Sequence, residues 1–284
     1  MKKLTKSDEK YLKVTSLRDR KKTSRALTAQ LVQTSGTQVH SSTIRRTLIR
    51  NGHHGRVAVR KPLLRKGNKT KRLKYVREHN NWNFDQWKKV LWSDESKFEI
   101  FGSKRRQYVR RRSGEELQEP CLQPTVKHGG GSIQVWGCIS AGGVGDLVRI
   151  DGIMNAEKYR QILIHHAIPS GRRLIGPRFT FQQDNDPKHT ANKVKRYLKR
   201  KEDQGVLELM EWPPQSPDLN IIEAIWDHLD RKKFEKQPKS QEELWEVLQN
   251  AWNNISADVL QKLQDSIPKR MQAVLKQKGG HTKY

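Results

Sequence analysis

Two different apolar rhythms divide the chain. Through residue 52, apolar positions recur at helical spacing in three short runs; from about Phe84 they gather into short blocks that end in polar residues. The first run reads as a helix from Ser7, a plausible N-cap, to Leu17. The second opens on Ser24, turns Leu27 and Leu31 to one face and stops before Gly36. The third opens on Ser41 or Ser42, buries Ile44 and Leu48 one turn apart, and ends at Gly52. Two helices joined by the short "SGTQVH" predict a helix-turn-helix within residues 1–52, its last helix shaped for a DNA major groove. With Ile44 and Leu48 committed to the core, Ser42, Thr43, Arg45 and Arg46 are left to meet DNA.

Beyond Phe84, "KKVLWSDES", "KFEIFG" and "RQYVRR" read as successive strands, and "SIQVWGCISAGGVGDLVRIDG" as two more around a glycine-rich turn. An amphipathic helix in "NAEKYRQILIHHAI" follows, then a strand in "RFTFQQD", a helix in "HTANKVKRYLKRK" and the short run "VLELMEW". After the turn-rich "PPQSPDLN" comes a long helix, "IIEAIWDHLDRKKF", with Ile222, Ile225, Trp226 and Leu229 on one face. A final helix around "SQEELWEVLQNAWNNI" closes the core. Strands followed by alternating helices and strands predict an α/β domain with a mixed sheet over residues 84–284, preceded by the small all-α unit. No run of 18 apolar residues exists to span a membrane, and "MKKLTKSDEKYLK" lacks the apolar segment of a secretory signal.

Charge sharpens this division. The 284 residues carry a formal +27, and residues 1–75 hold 22 Lys and Arg against 3 Asp and Glu. A basic first third on a nearly balanced body points to nucleic acid rather than to a membrane surface. Residues 53–83 read as a basic linker in which Arg56, Arg60 and Lys61 track phosphates; the same charges suit nuclear import, giving the nucleus as the expected location. Cys121 and Cys138 have no histidines at zinc-site spacing and read as free thiols.

Against this basic background, three acids stand at special places. Asp94 ends the first strand of the α/β domain, Asp184 ends "FTFQQD", and Glu223 lies at the start of the long helix. Acids at neighbouring strand ends share a sheet rim, where such folds collect ligands. Three carboxylates together repel one another unless a divalent cation lies between them, and oxygen donors suit Mg²⁺, with Mn²⁺ as substitute. Such a cluster serves two-metal phosphodiester chemistry. Each acid also has a plainer reading: Asp94 as a turn former, "DND" as an Asx turn, Glu223 as a favourable charge at a helix N-terminus. Spacing alone leaves Asp227 and Asp230 as rivals to Glu223, since all three line one helical face, and Asp186 as a rival to Asp184. His189 reads as structural.

Together, "VLWSDESKFEIFG", "VKHGGGSIQVWGC", "FQQDNDPKHT" and "EWPPQSPDLNIIEAIW" resemble the mariner-type superfamily of cut-and-paste DNA transposases, nearest to the branch that includes Sleeping Beauty. The resemblance covers nearly the whole chain. It implies an RNase H-like catalytic domain whose acidic triad falls on Asp94, Asp184 and Glu223. It also implies metal-dependent cleavage at terminal inverted repeats, joining to a TA target, and a homodimer in the DNA complex. His128 to Gly131 resembles the start of an insertion that contacts the partner subunit and DNA in relatives. Three differences accompany the likeness: the chain begins where a second helix-turn-helix unit is expected, 38 residues separate Asp184 from Glu223, a longer spacer than in near relatives, and Ile221 and "GRVAVR" stand where the family carries proline and a Gly-Arg-Pro-Arg element. A transposase-derived DNA-binding protein without catalytic activity is the competing reading.

Overall fold

The computed structural model describes residues 4–59, 61–101, 109–122, 126 and 130–284. They form two compact units, residues 1–61 and 62–284.

In the first unit, α1 (Lys6–Arg18), α2 (Ser24–Ser35) and α3 (Ser41–Arg50) enclose Leu12, Leu27, Leu31 and Ile44, with Leu48 packed alongside. The first two caps lie ahead of the serines expected from sequence. Thr5 caps α1 in a reciprocal box with Asp8, and Thr23 caps α2, because their hydroxyls reach the third amide of each helix. Gly36 closes α2 at φ 68°, a left-handed conformation natural to glycine.

The second unit begins with a correction. Half of the stretch read as a linker is α4 (Lys66–His79), which buries Arg72, Tyr75 and Val76 against the core of this unit. Its pattern is hidden because a charged residue, Arg72, occupies a fully buried position. After the short α5 (Phe84–Lys88) comes β1 (Val90–Glu99), one ten-residue strand in place of the two expected, since it pairs with β2 without interruption from Trp92 to Glu99. Of the expected strand "RQYVRR", residues 106–108 lie outside the described residues and Val109–Arg111 form no strand.

β2 (Ser132–Ser140) and β3 (Gly143–Ile150) form an antiparallel hairpin beside β1; β4 (Phe179–Gln182) and β5 (Leu207–Leu209) add in parallel on the other side, giving the order β3-β2-β1-β4-β5. The mixed sheet is therefore as expected. α6 (Ala156–Ile162) continues through a π-helical turn, Leu163–Ala167, into α7 (Ile168–Leu174), where Pro169 has no amide to donate into a regular ladder. α8 (Asn192–Asp203) covers the same face of the sheet. α9 (Glu223–Lys236), α10 (Gln241–Asn253) and α11 (Ala257–Lys276) cover the opposite face with α4. α11 was not anticipated: Pro268, Gln264 and Arg270 interrupt its apolar pattern, although Leu260, Ile267, Met271 and Val274 are buried at helical spacing.

No helix among the described residues is long and apolar enough to cross a membrane.

Candidate active site

The site begins with the period of two along β1. Val90 and Trp92 lie in the core beneath α9–α11, and Leu91 lies in the core beneath α6–α8. Continuing the alternation puts Asp94 on the α9 side, beside Trp226, and Glu95 on the other side, beside His189 and Tyr159. Asp94 pairs across the ladder with Gly137, over which Trp226 and Trp252 stack at 5.5 Å and 22°. A Cβ on Gly137 would stand 2.8 Å from the Trp252 ring and 2.9 Å from that of Trp226. The bare glycine thus admits the stacked pair, from which Trp226 Nε1 donates to Asp94 Oδ2 at 3.4 Å.

Three buried polar side chains tie the acid-bearing elements together. Ser93, next to Asp94, donates its hydroxyl to the Gln182 carbonyl at 2.7 Å, and its amide donates to Gln182 Oε1 at 3.1 Å. That fastens β1 to the end of β4, two residues before Asp184. Asn220 donates to the Ser93 carbonyl at 3.2 Å and accepts from the Ile222 amide at 3.3 Å, fastening the start of α9 to the same strand. Sequence reasoning missed Ser93, Gln182 and Asn220; their polarity next to the acids was the available signal.

As a result, Asp94, Asp184 and Glu223 line one cavity of about 380 Å³, walled by Trp212 and Pro213. Burial, followed by the proximity of Glu223, Glu95 and Asp184, pushes the Asp94 carboxyl well above the usual carboxylate range. Among the described residues, no three such groups converge on a single ion-binding point, and two of these carboxylates are turned to protein donors: Asp94 to Trp226, and Asp184 to His189 and the Asp186 amide. The donor set nevertheless fits a hard divalent cation. It is all oxygen and all acidic, and Asp94 is raised by burial and then by its acidic neighbours, both of which a bound cation would offset.

The rival acids separate by their partners. Asp186 also lines the cavity, but Oδ2 pairs with Lys188 at 2.7 Å and Oδ1 accepts the Lys188 amide at 2.9 Å, forming the turn. Asp227 is exposed, Asp230 pairs with Lys233 at 2.8 Å, and neither lines the cavity. His189, only 3% exposed, bridges Asp184 Oδ1 at 2.6 Å and Glu95 Oε1 at 2.9 Å through its two ring nitrogens. Burial pulls the imidazole down, but the bonds to Asp184 and Glu95 outweigh it and raise His189 to about 9. Burial likewise pushes Asp184 up, yet the His189 bond and the Asp186 amide hold it below its ordinary range.

In the first unit, Arg45 and Arg46 stand exposed on α3, on the side away from buried Ile44 and Thr47. Ser42 and Thr43 are half-buried, and the Ser42 hydroxyl bonds His40 Nδ1 at 2.8 Å. Arg56 and Lys61 are exposed; Arg60 and residues 128 and 129 of the glycine-rich stretch lie outside the described residues.

Comparison with known proteins agrees with this architecture. Residues 9–81 match a transposase helix-turn-helix family, and residues 89–245 match the DDE superfamily endonuclease. The Transposable element Tc1 transposase of Caenorhabditis elegans is 42% identical over 242 residues, 85% of this chain and 87% of that protein. The Mos1 transposase paired-end complex with left transposon end matches 100% of this chain and 81% of that one, at TM-score 0.78 and 17% identity. The Mos1 mariner paired end complex with Mn matches at TM-score 0.74 and 18% identity, over 100% and 81%. At that identity the likeness is one of fold. The chain belongs to the Tc1/mariner family of transposases, with its N-terminal helix-turn-helix and its RNase H-like DDE endonuclease domain.

Proposed function

We propose that Asp94, Asp184 and Glu223 are the metal-holding acids with which this transposase cuts transposon ends and joins them to target DNA. The observation that carries the assignment is that these three carboxylates, from β1, the loop after β4 and the start of α9, line one cavity. Mg²⁺ is the expected ion, with Mn²⁺ as substitute, and the likeness to a Mos1 complex with Mn supports a divalent cation. When bound, such ions activate the attacking oxygen and take up charge on the departing one.

The protein's own residues supply position. Ser93, Gln182 and Asn220 hold the three acid-bearing segments in register, and Trp226 orients Asp94. No protein nucleophile is required: water attacks the first phosphodiester, and the released 3′-hydroxyl attacks the target. On α3, Ser42, Thr43, Arg45 and Arg46 read the inverted repeat from the major groove, while Arg56, Arg60 and Lys61 follow phosphates. Insertion at TA, a homodimer in the DNA complex and action in the nucleus complete the reading. The basic first third supports the nuclear location, and the quoted segments support membership of the branch that includes Sleeping Beauty.

The test incubates purified protein with supercoiled DNA carrying the inverted repeats of its own element and Mg²⁺ or Mn²⁺, beside Asp184→Asn. Cleavage by wild type, reduced about 10²–10³-fold in the variant with DNA binding retained, is expected. Equal nicking by both proteins, or by neither, removes the catalytic assignment.

A further inference from the structure

Glu95 is the unexplained charge of this unit. It lies on the central strand, its side chain only 10% exposed, on the sheet face opposite the one that presents Asp94. Leu91, in the same alternation, is apolar and buried, and burying a carboxylate in its place costs several kcal/mol unless partners offset it. Strand pairing does not call for an acid: in the ladder Glu95 stands opposite Trp136.

Its partners explain it. Glu95 Oε1 holds His189 Nε2 at 2.9 Å, and Oε2 stands 3.8 Å from Lys188 Nζ. The other ring nitrogen, Nδ1, holds Asp184 Oδ1 at 2.6 Å. Tyr159 lies against the imidazole at 3.9 Å between ring centres and is itself fixed by its hydroxyl on Gln183 Oε1 at 2.7 Å. The ring is therefore held at both nitrogens and on one face. On Asp184, the His189 ring and the Asp186 amide both reach Oδ1; among the described residues they are the donors on that carboxylate. Asp184 and His189 belong to one loop, and Glu95 connects that loop to the strand that carries Asp94.

We propose that Glu95 is a positioning residue for the reaction: through the His189 ring it fixes the Asp184 carboxylate, keeping Oδ1 engaged and leaving Oδ2 as the oxygen available to a cation. This rests on the assignment of Asp184 as a metal-holding acid. Groups hydrogen-bonded to a metal ligand orient it, and loss of such a partner weakens metal binding about 10–100-fold; here His189 is that partner, and Glu95 holds it in place.

Mn²⁺ binding to the purified full chain, followed by electron paramagnetic resonance of the unbound ion, provides the test. Glu95→Ala is expected to weaken Mn²⁺ binding roughly tenfold, and the Mn²⁺ concentration giving half-maximal cleavage rises in step. Glu95→Gln keeps an oxygen that accepts from His189 and recovers most of the loss. Wild-type affinity in Glu95→Ala, even with a lowered melting temperature, overturns the proposal by leaving Glu95 a purely structural role. Equal loss in Glu95→Gln also overturns it, by assigning the effect to charge instead of the hydrogen bond. Should Glu95→Ala not fold, Glu95→Leu fills the space without an acceptor, and the same two outcomes decide. Asp184→Asn is the control: if it binds Mn²⁺ like wild type, the assignment of the site fails, whereas loss in Asp184→Asn with none in Glu95→Ala removes only the role of Glu95.

Discussion

Both carboxylate oxygens of Asp218 accept from the guanidinium of Arg72, each at 2.7 Å, and neither side chain is more than 7% exposed. The pair joins α4 to the turn that delivers Glu223. Arg72 also donates to the Ser216 hydroxyl and to the Gly279 carbonyl, so its charge is almost fully engaged. Removing one partner of such a pair leaves the other buried and uncompensated. Arg72→Ala is expected to destabilise the second unit by about 3–5 kcal/mol, and Arg72→Lys to fall short of rescue because an ammonium cannot make the fork. Thermal unfolding should drop by roughly 6–20 °C in Arg72→Ala; an unchanged midpoint would remove the pair from any structural role.

Stability should fall as pH rises through the alkaline range. His189 is raised to about 9 from an ordinary 6.5, so its bound proton favours the folded chain. That contribution is complete below 6.5 and disappears as pH climbs through about 9, with a slope of up to about 1.4 kcal/mol per pH unit for one proton. Asp184 works at the acid end: held below its ordinary range, it stabilises above that range and loses its contribution on acidification. Urea unfolding in chelator at pH 6.5 and 9.5 measures the alkaline limb. Its difference from His189→Gln isolates the imidazole from Asp94, whose raised carboxyl shifts stability in the same sense.

Gly137→Ala tests the indole pair above Asp94. The new Cβ meets two rings under 3.0 Å, so Trp226 or Trp252 must shift. A loss of about 1–3 kcal/mol is expected from overpacking. Tryptophan fluorescence should change with it, as the stacking at 5.5 Å is disturbed. An unchanged spectrum and melting temperature would show that the stack is not confined by the glycine.

Arg45 and Arg46 predict a separation of binding from folding. Both are exposed on α3, so Arg45→Ala and Arg46→Ala should leave stability within about 0.5 kcal/mol. If each neutralises a phosphate, each substitution lowers the slope of log affinity against log salt by about 0.9. A base contact instead changes discrimination between inverted-repeat and unrelated duplexes, with little effect on the slope. Titrations of both duplexes at several salt concentrations distinguish the two roles, and no change in either removes these arginines from the interface.

The sequence was informative where local pattern and local chemistry coincide. Asp94 and Asp184 end apolar runs, and Glu223 follows a proline-rich turn; each irregularity is visible within ten residues. β1 is less legible: Val90, Leu91 and Trp92 are all apolar and mask the alternation, and the partner that explains Glu95, His189, lies 94 residues away. α4 was concealed by the same kind of separation. Arg72 reads as a solvated charge until Asp218, 146 residues downstream, is brought beside it. α11 was concealed by Pro268 and by Arg270, a half-polar helix whose guanidinium reaches the carbonyls of Asp218 and Asn220. Ser93, Gln182 and Asn220 offer only their polarity next to the acids; pairing of three segments gives it meaning.

The Arg72–Asp218 junction also orders events in time. Gly279 and Gly280 offer carbonyls to Arg72, and the Thr282 hydroxyl donates to Asp218 Oδ2 at 2.8 Å, so the turn ahead of Glu223 is clasped by residues made long after it. Thr282 leaves the ribosome 188 residues after Asp94, a delay of about 10–40 s at ordinary rates of translation. Over its last part, between Glu223 and Thr282, the nascent chain holds all three acids without the clasp on the turn that sets the third. The clasp on the turn ahead of Glu223 is thereby complete only once synthesis has passed residue 282.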